Sequence, residues 1–212
     1  ILYKIYLAFT MLEIIMLKFA GMPLYDAFIH TFGTVGTGGA SNMNASVGAY
    51  NNIFVEIIIT IFTFMCGTNF TLYYQMLKGD IKAPLKDDEF RFYCIIIIIS
   101  IVLITINLNG DMFSSLWESL RHSSFQVVSV LTTTGFATTD YNNWGMFSKI
   151  ILFILMLIGG CAGSTGGALK SIRVLLLLRV MKRELLQIMH PRAVYTVRIG
   201  NKTVDEKTIS EI

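Results

Sequence analysis

The sequence predicts an all-α polytopic membrane protein built from tandem units, each a helix, a short re-entrant helix with an extended loop, and a second helix. Composition is the first observation behind this: of 212 residues, 54% are hydrophobic and only 15% charged, against roughly 25% charged in an average soluble domain. The second is length. Residues 2–20, 53–77, 92–108 and 147–178 are apolar stretches that reach or approach the roughly 20 residues a helix needs to cross a bilayer. A soluble helical core would show amphipathic stripes, yet 94–103 reads CIIIIISIVL with no polar face. The third is repetition: a shift of 97 positions superposes Phe28 on Phe125, Thr37 on Thr134, Gly38 on Gly135, Ala40 on Ala137 and Ile53 on Ile150. Such self-similarity is the signature of a duplicated unit.

None of the apolar stretches is a cleavable signal peptide. The net charge of +3 comes from basic residues in two places, Lys78, Lys82, Lys86 and Arg91 after the second span and Arg173, Arg179, Lys182, Arg183 and Arg192 within and after the fourth. Both clusters are therefore placed in the cytoplasm, and neither forms the single stripe a nucleic acid would need. Cys66, Cys94 and Cys161 lie inside apolar segments at no metal-ligand spacing, so each reads as a small buried hydrophobe. His30, His122 and His190 are isolated and read as polar helix positions.

Residues 1–80 form the first unit, 81–91 a cytoplasmic linker, 92–190 the second unit, and 191–212 a cytoplasmic link onward. Within the first unit, Pro23 sits where a helix starts and Asp26 suits its first turn. In the second, Asp111 is the expected cap of a helix over 112–130, with Trp117 as an interfacial anchor. Each re-entrant helix runs into a loop rich in threonine and glycine: Val35, Gly36, Thr37 and Gly38 in one, Thr132, Thr133, Thr134 and Gly135 in the other. Non-helical backbone at membrane depth must be buried in protein or line water. Backbone carbonyls of an extended strand replace the water around a monovalent cation, glycine turns them toward one axis, and a helix C-terminus favours the positive charge. The first loop lies close to the TVGYG filter of potassium channels, whereas the second keeps one glycine, so a less symmetric filter is expected. Without Asp or Glu in either motif, a calcium-type carboxylate ring is disfavoured.

The fourth span is interrupted by IGGCAGSTGGALKSIR. The segment Gly159, Gly160, Cys161, Ala162, Gly163, Ser164, Thr165, Gly166, Gly167 has two open readings. It is a flexible intramembrane loop that gates a pore, or Gly159, Gly163 and Gly167 form a helix-packing ladder in a membrane assembly protein. A phosphate-binding loop is excluded by the missing Gly-Lys-Ser/Thr ending. Lys170 and Arg173 read as snorkelling residues, with gating charges as the alternative. Glu13 and Glu56 lie in or near apolar spans and are assigned no role.

The two loops, and above all GGCAGSTGGALKSIRVLLLLR, resemble the Trk/Ktr/HKT superfamily of potassium uptake proteins, most closely the bacterial Trk-type transmembrane subunit. The resemblance implies a pore of four M1-P-M2 units in one chain, of which this sequence is similar to units two and three, so it reads as a fragment of a longer protein. It also implies a filter glycine at Gly38 and at Gly135, and an intramembrane gate at 159–167. Ala168 stands where a third glycine is common in that family. Further implications are potassium as the transported ion with no cofactor in this chain, a multi-pass location in the bacterial inner membrane, and no enzymatic activity. The implied partners are the lipid bilayer, a second copy in a homodimer, and a cytosolic nucleotide-binding regulatory subunit meeting the basic helix after the gate.

Overall fold

The computed structural model describes residues 2–190, 195–200 and 202–203; most of the expected 191–212 link lies outside them. Helix α1 (Leu2–Phe19) ends at Gly21, whose φ of 93° reverses the chain into α2 (Leu24–Val35), which starts directly behind Pro23. After the first loop, Asn52 caps α3 (Ile53–Cys66) by accepting from the Phe54 N–H. Next come α4 (Phe70–Leu77), the short α5 (Ala83–Lys86) and α6 (Asp88–Leu108), which Asp87 caps through the Phe90 N–H. The second unit continues with α7 (Leu116–Leu131), α8 (Met146–Ile158) and α9 (Ser171–Met189). A two-residue antiparallel hairpin, β1 (Arg198–Ile199) and β2 (Lys202–Thr203), follows.

Two elements depart from the expected course. The second span does not run straight through 53–77, because α3 and α4 meet at 90°. Gly67, Thr68 and Asn69 make the break: Asn69 Oδ1 caps α4 at the Thr71 N–H, and Thr68 Oγ1 donates back to Phe64 O. The second re-entrant helix starts at Leu116 behind Ser115, later than the Asp111 cap expected, since Gly110 at φ 90° and a local turn occupy the intervening residues. The helix expected over 147–178 is split between α8 and α9, as the glycine run predicts. Among the described residues only α6 is a single straight helix long and apolar enough to cross a membrane, with the bent α3–α4 pair qualifying jointly.

Each unit packs its own core. Tyr93, Ile97, Ile104, Val127, Leu131 and Leu155 fill the second, while Leu17, Met22, Val47, Val55 and Ile59 fill the first. Phe125 and Phe136 of the second unit insert into the first unit's cluster, so the two share one apolar seam. Across it, Glu56 at the start of α3 faces Arg121 of α7 at 3.2 Å, with side chains 4% and 19% exposed. The outward rows of large apolar side chains on α6 and α8, such as Ile98, Ile106, Phe153 and Ile154, stay exposed, as a lipid-facing surface requires.

Candidate pore loops and gate

Helices α2 and α7 end in the same way. Gly33 O accepts from both the Gly38 and Gly39 N–H, at 2.8 and 3.1 Å, and Ser129 O accepts from both the Thr134 and Gly135 N–H, at 2.9 and 3.2 Å. The amides of each strand are thus turned back onto a helix C-terminus. The carbonyl oxygens of Thr37, Gly38, Gly39, Thr133, Thr134 and Gly135 accept no hydrogen bond among the described residues. This is the disposition in which carbonyls are free to ligate a cation.

The pairing also corrects the repeat register. Left-handed φ values fall on Thr37 (49°) and Gly39 (61°) in the first loop and on Thr133 (61°) and Gly135 (87°) in the second, a spacing of 96 and not 97. By backbone conformation Gly135 therefore corresponds to Gly39, one residue beyond Gly38, where the filter glycine is expected from the sequence. A Cβ on Gly39 would lie 2.0 Å from Thr134 O, whereas one on Gly38 would meet nothing within 4 Å. Val35 is the last residue of α2 and is fully buried, packed with Ile5, Cys66 and Phe70, so it lies outside the extended strand. Gly36 and Thr132 cap the two helices, and Thr132 Oγ1 donates to Val128 O at 2.8 Å and meets Thr134 Oγ1 at 2.8 Å.

Behind each strand lies a polar brace. Asp26 accepts from Asn42 Nδ2 at 2.6 Å and from the Tyr50 hydroxyl at 2.8 Å; burial, and then this bond to Asp26, holds that phenol above its ordinary pKa. His30 Nδ1 donates to Asp26 O at 2.8 Å, leaving Nε2 to accept from Ser41 at 3.1 Å, and its ring stacks on Phe136. His122 bridges Arg121 Nη2 at 3.0 Å and Thr138 Oγ1 at 2.9 Å. Both histidines are satisfied polar positions, and the described residues contain no group of three or more His, Cys, Asp or Glu side chains placed to hold a metal ion.

Residues 159–170 are not helical. Gly159 and Gly163 have φ of 79° and 72°, followed by Ala168 at 63° and Lys170 at 74°, so Gly159, Gly163 and Gly167 present no common helix face and the packing ladder is overturned. The loop fills the notch between α3 and α4. The Cys161 N–H donates to Gly67 O at 2.9 Å, the Thr165 N–H to Cys66 O at 3.3 Å, and the Phe70 N–H back to Gly163 O at 3.1 Å. Both loop threonines with left-handed φ reach it as well: Thr37 Oγ1 donates to Thr165 O at 2.9 Å, and Thr133 Oγ1 accepts from the Gly167 N–H at 2.7 Å. Lys170 folds back onto Gly166 O and does not snorkel away as expected, because its left-handed backbone turns the side chain toward the loop.

Sequence and structure comparisons agree on where this arrangement belongs. A family model described as a cation transport protein, TrkH, matches residues 1–212. The chain belongs to the TrkH family. It is 38% identical over its whole length to the Trk system potassium uptake protein TrkH of Salmonella typhimurium, covering 44% of that protein. It is 36% identical over 94% of its length to TrkG of Escherichia coli K12, covering 41% of that one. The crystal structure of the potassium transporter TrkH from Vibrio parahaemolyticus superposes with a TM-score of 0.93 over 99% of this chain and 46% of that one, at 35% identity. The chain thus spans less than half the length of the relatives it matches, and it has the TrkH fold, a helical membrane protein of M1-P-M2 units.

Two features around the loop of this TrkH-family chain have no counterpart in the sequence expectations. The break in α3 is one, although Gly67-Thr68-Asn69 is a legible stop-and-cap signal in an otherwise apolar run. Gly67 is required there because a Cβ would lie 2.5 Å from Thr132 Cγ2. The other is Glu89, whose Oε1 accepts from the Ala162 N–H at 2.6 Å and the Ile172 N–H at 3.1 Å. Nothing in the local sequence marks a carboxylate that acts across so many intervening residues.

Proposed function

We propose that this chain supplies two of the four filter strands, and the gate, of a potassium uptake pore in the bacterial inner membrane. The observation that carries the reading is the pair of register-matched strands whose carbonyls accept no hydrogen bond, tied through Thr37 and Thr133 to the loop at 159–170. Gly36 to Gly39 and Thr132 to Gly135 line the ion path, with Gly39 and Gly135 the paired glycines. A potassium ion exchanges its hydration shell for these carbonyls together with those of two further units. The 159–170 loop, wedged against both strands, closes the path, and its release opens it.

The chemistry needs no cofactor and breaks no covalent bond, so the activity is transport and not enzymatic catalysis. Partners carried over from the resemblance are a second copy and a cytosolic nucleotide-binding regulatory subunit, which would meet the exposed basic face of α9. The test is uptake by the full-length protein in cells lacking other potassium transport. Gly39→Ser and Gly135→Ser each lower potassium over sodium preference, and removal of 160–167 raises flux. Unchanged selectivity in both serine variants at normal membrane abundance contradicts the filter; unchanged flux in the shortened variant contradicts the gate.

A further inference from the structure

We propose that Glu89 is a positioning residue that latches the gate loop shut, an assignment that rests on the gate reading above. Glu89 is the second residue of α6 and is 5% exposed. Its Oε1 holds two backbone amides at once, those of Ala162 inside the loop and Ile172 in the first turn of α9. The loop is thereby pinned at its early part and at its exit by one oxygen from a different helix. An N-terminal turn has amides with no intrahelical partner, and a carboxylate there also meets the positive end of the helix dipole. The N-cap residue Lys170 makes no side-chain cap, so Glu89 performs the capping from outside.

The adjacent residue extends the clamp. Asp88 Oδ2 accepts from Arg179 Nη2 at 2.9 Å and from the Gly200 N–H at 2.9 Å, and Arg179 also donates to Arg198 O. The start of α6 therefore grips the broken inner helix at its beginning and about two turns later, and grips the hairpin beyond it. The first turn of α9 is also bonded to the start of the loop, Ser171 Oγ donating to Gly159 O at 2.8 Å and the Ser171 N–H to Gly160 O at 2.9 Å. Freeing Glu89 loosens both ends of the loop together.

The experiment uses the full-length protein in membranes and reads unstimulated potassium flux beside alkylation of Cys161, which is 0% exposed in the seated loop, by a membrane-permeant maleimide. Glu89→Ala raises flux roughly tenfold, the scale of losing charge-assisted hydrogen bonds to one carboxylate, and speeds alkylation. Glu89→Asp, which withdraws the carboxylate by one methylene, shifts both readouts in the same direction, while Glu89→Gln keeps the acceptor oxygen but loses the charge and opens the gate only about threefold. If Glu89→Ala fails to reach the membrane, the Asp and Gln pair decides: parent-like behaviour of Glu89→Asp, or equal opening in both, overturns the latch. Removal of 160–167 runs alongside. Raised flux there with no response to the Glu89 variants refutes the latch alone. If removal leaves flux unchanged, the gate reading fails, and Cys161 alkylation then decides separately whether Glu89 seats the loop.

Discussion

Both units break their inner helix, but to opposite ends. In the first, three residues between α3 and α4 turn the chain by 90° and leave Cys66 O, Gly67 O and the Phe70 N–H unused within the helices. In the second, twelve residues between α8 and α9 bring the groups that use them. One break is a socket and the other is its plug. Duplication alone would give two equivalent interruptions; what separates them is the number of residues able to take left-handed φ, which lets 159–170 leave the helical path and reach Thr37 and Thr133. The re-entrant helices differ too, α2 with 12 residues and α7 with 16, yet their C-terminal hydrogen bonding is superposable. The conserved part of the unit is thus the strand geometry, while helix length and inner-helix course have diverged.

The largest expected effect tests the matched strands. Gly39→Ala combines a left-handed φ with a clash at the Thr134 carbonyl, so potassium uptake falls at least about a hundredfold, since such strain and overlap cost several kcal/mol. Gly38→Ala, with open space and ordinary φ, lowers it less than about threefold. If the two variants are equally damaging in an uptake assay, the 96-residue register is wrong.

The seam between the units comes next. Glu56→Ala or Arg121→Ala leaves one charge buried and destabilises the protein by about 3 to 5 kcal/mol, read as a lowered Tm in detergent. A double replacement by Leu and Met recovers most of it. Equal loss in the double variant would mean that these side chains matter through packing and not through their charges.

Smaller effects separate plug from socket. Thr133→Val removes the acceptor of the Gly167 amide and Thr37→Val removes the donor to Thr165 O, each a net interaction of about 1 kcal/mol, so unstimulated flux rises roughly fivefold in either. A rise in neither would detach the filter from the gate. Ala168→Gly relieves a left-handed alanine, worth about 1 kcal/mol in favour of the seated loop, and lowers unstimulated flux a few-fold in the same assay.

Much of this was legible in the sequence, for reasons that can be named. Hydropathy marked the apolar helices, and the glycine run placed the broken helix, because both depend on local composition. The register slipped by one because Thr37, Gly38 and Ala40 match Thr134, Gly135 and Ala137 as letters, whereas the backbone is fixed by which amides return to Gly33 O and Ser129 O. Identity among small residues does not report φ. The socket was hidden since residues 53–77 stay apolar across the bend, and its cause is partly the loop docked into it from nearly a hundred residues away. Glu56, Arg121 and Glu89 escaped for the same reason: each is defined by a tertiary partner, and a charge near the end of an apolar run looks like an interfacial residue until that partner is seen.

The most direct test of the paired filter strands is anomalous diffraction from crystals of the full-length protein grown with thallium in place of potassium. Thallium peaks ligated by backbone carbonyls of Thr37 to Gly39 and of Thr133 to Gly135 at matched heights are the predicted result. Strands that stay empty while thallium is bound elsewhere along the pore would contradict the account.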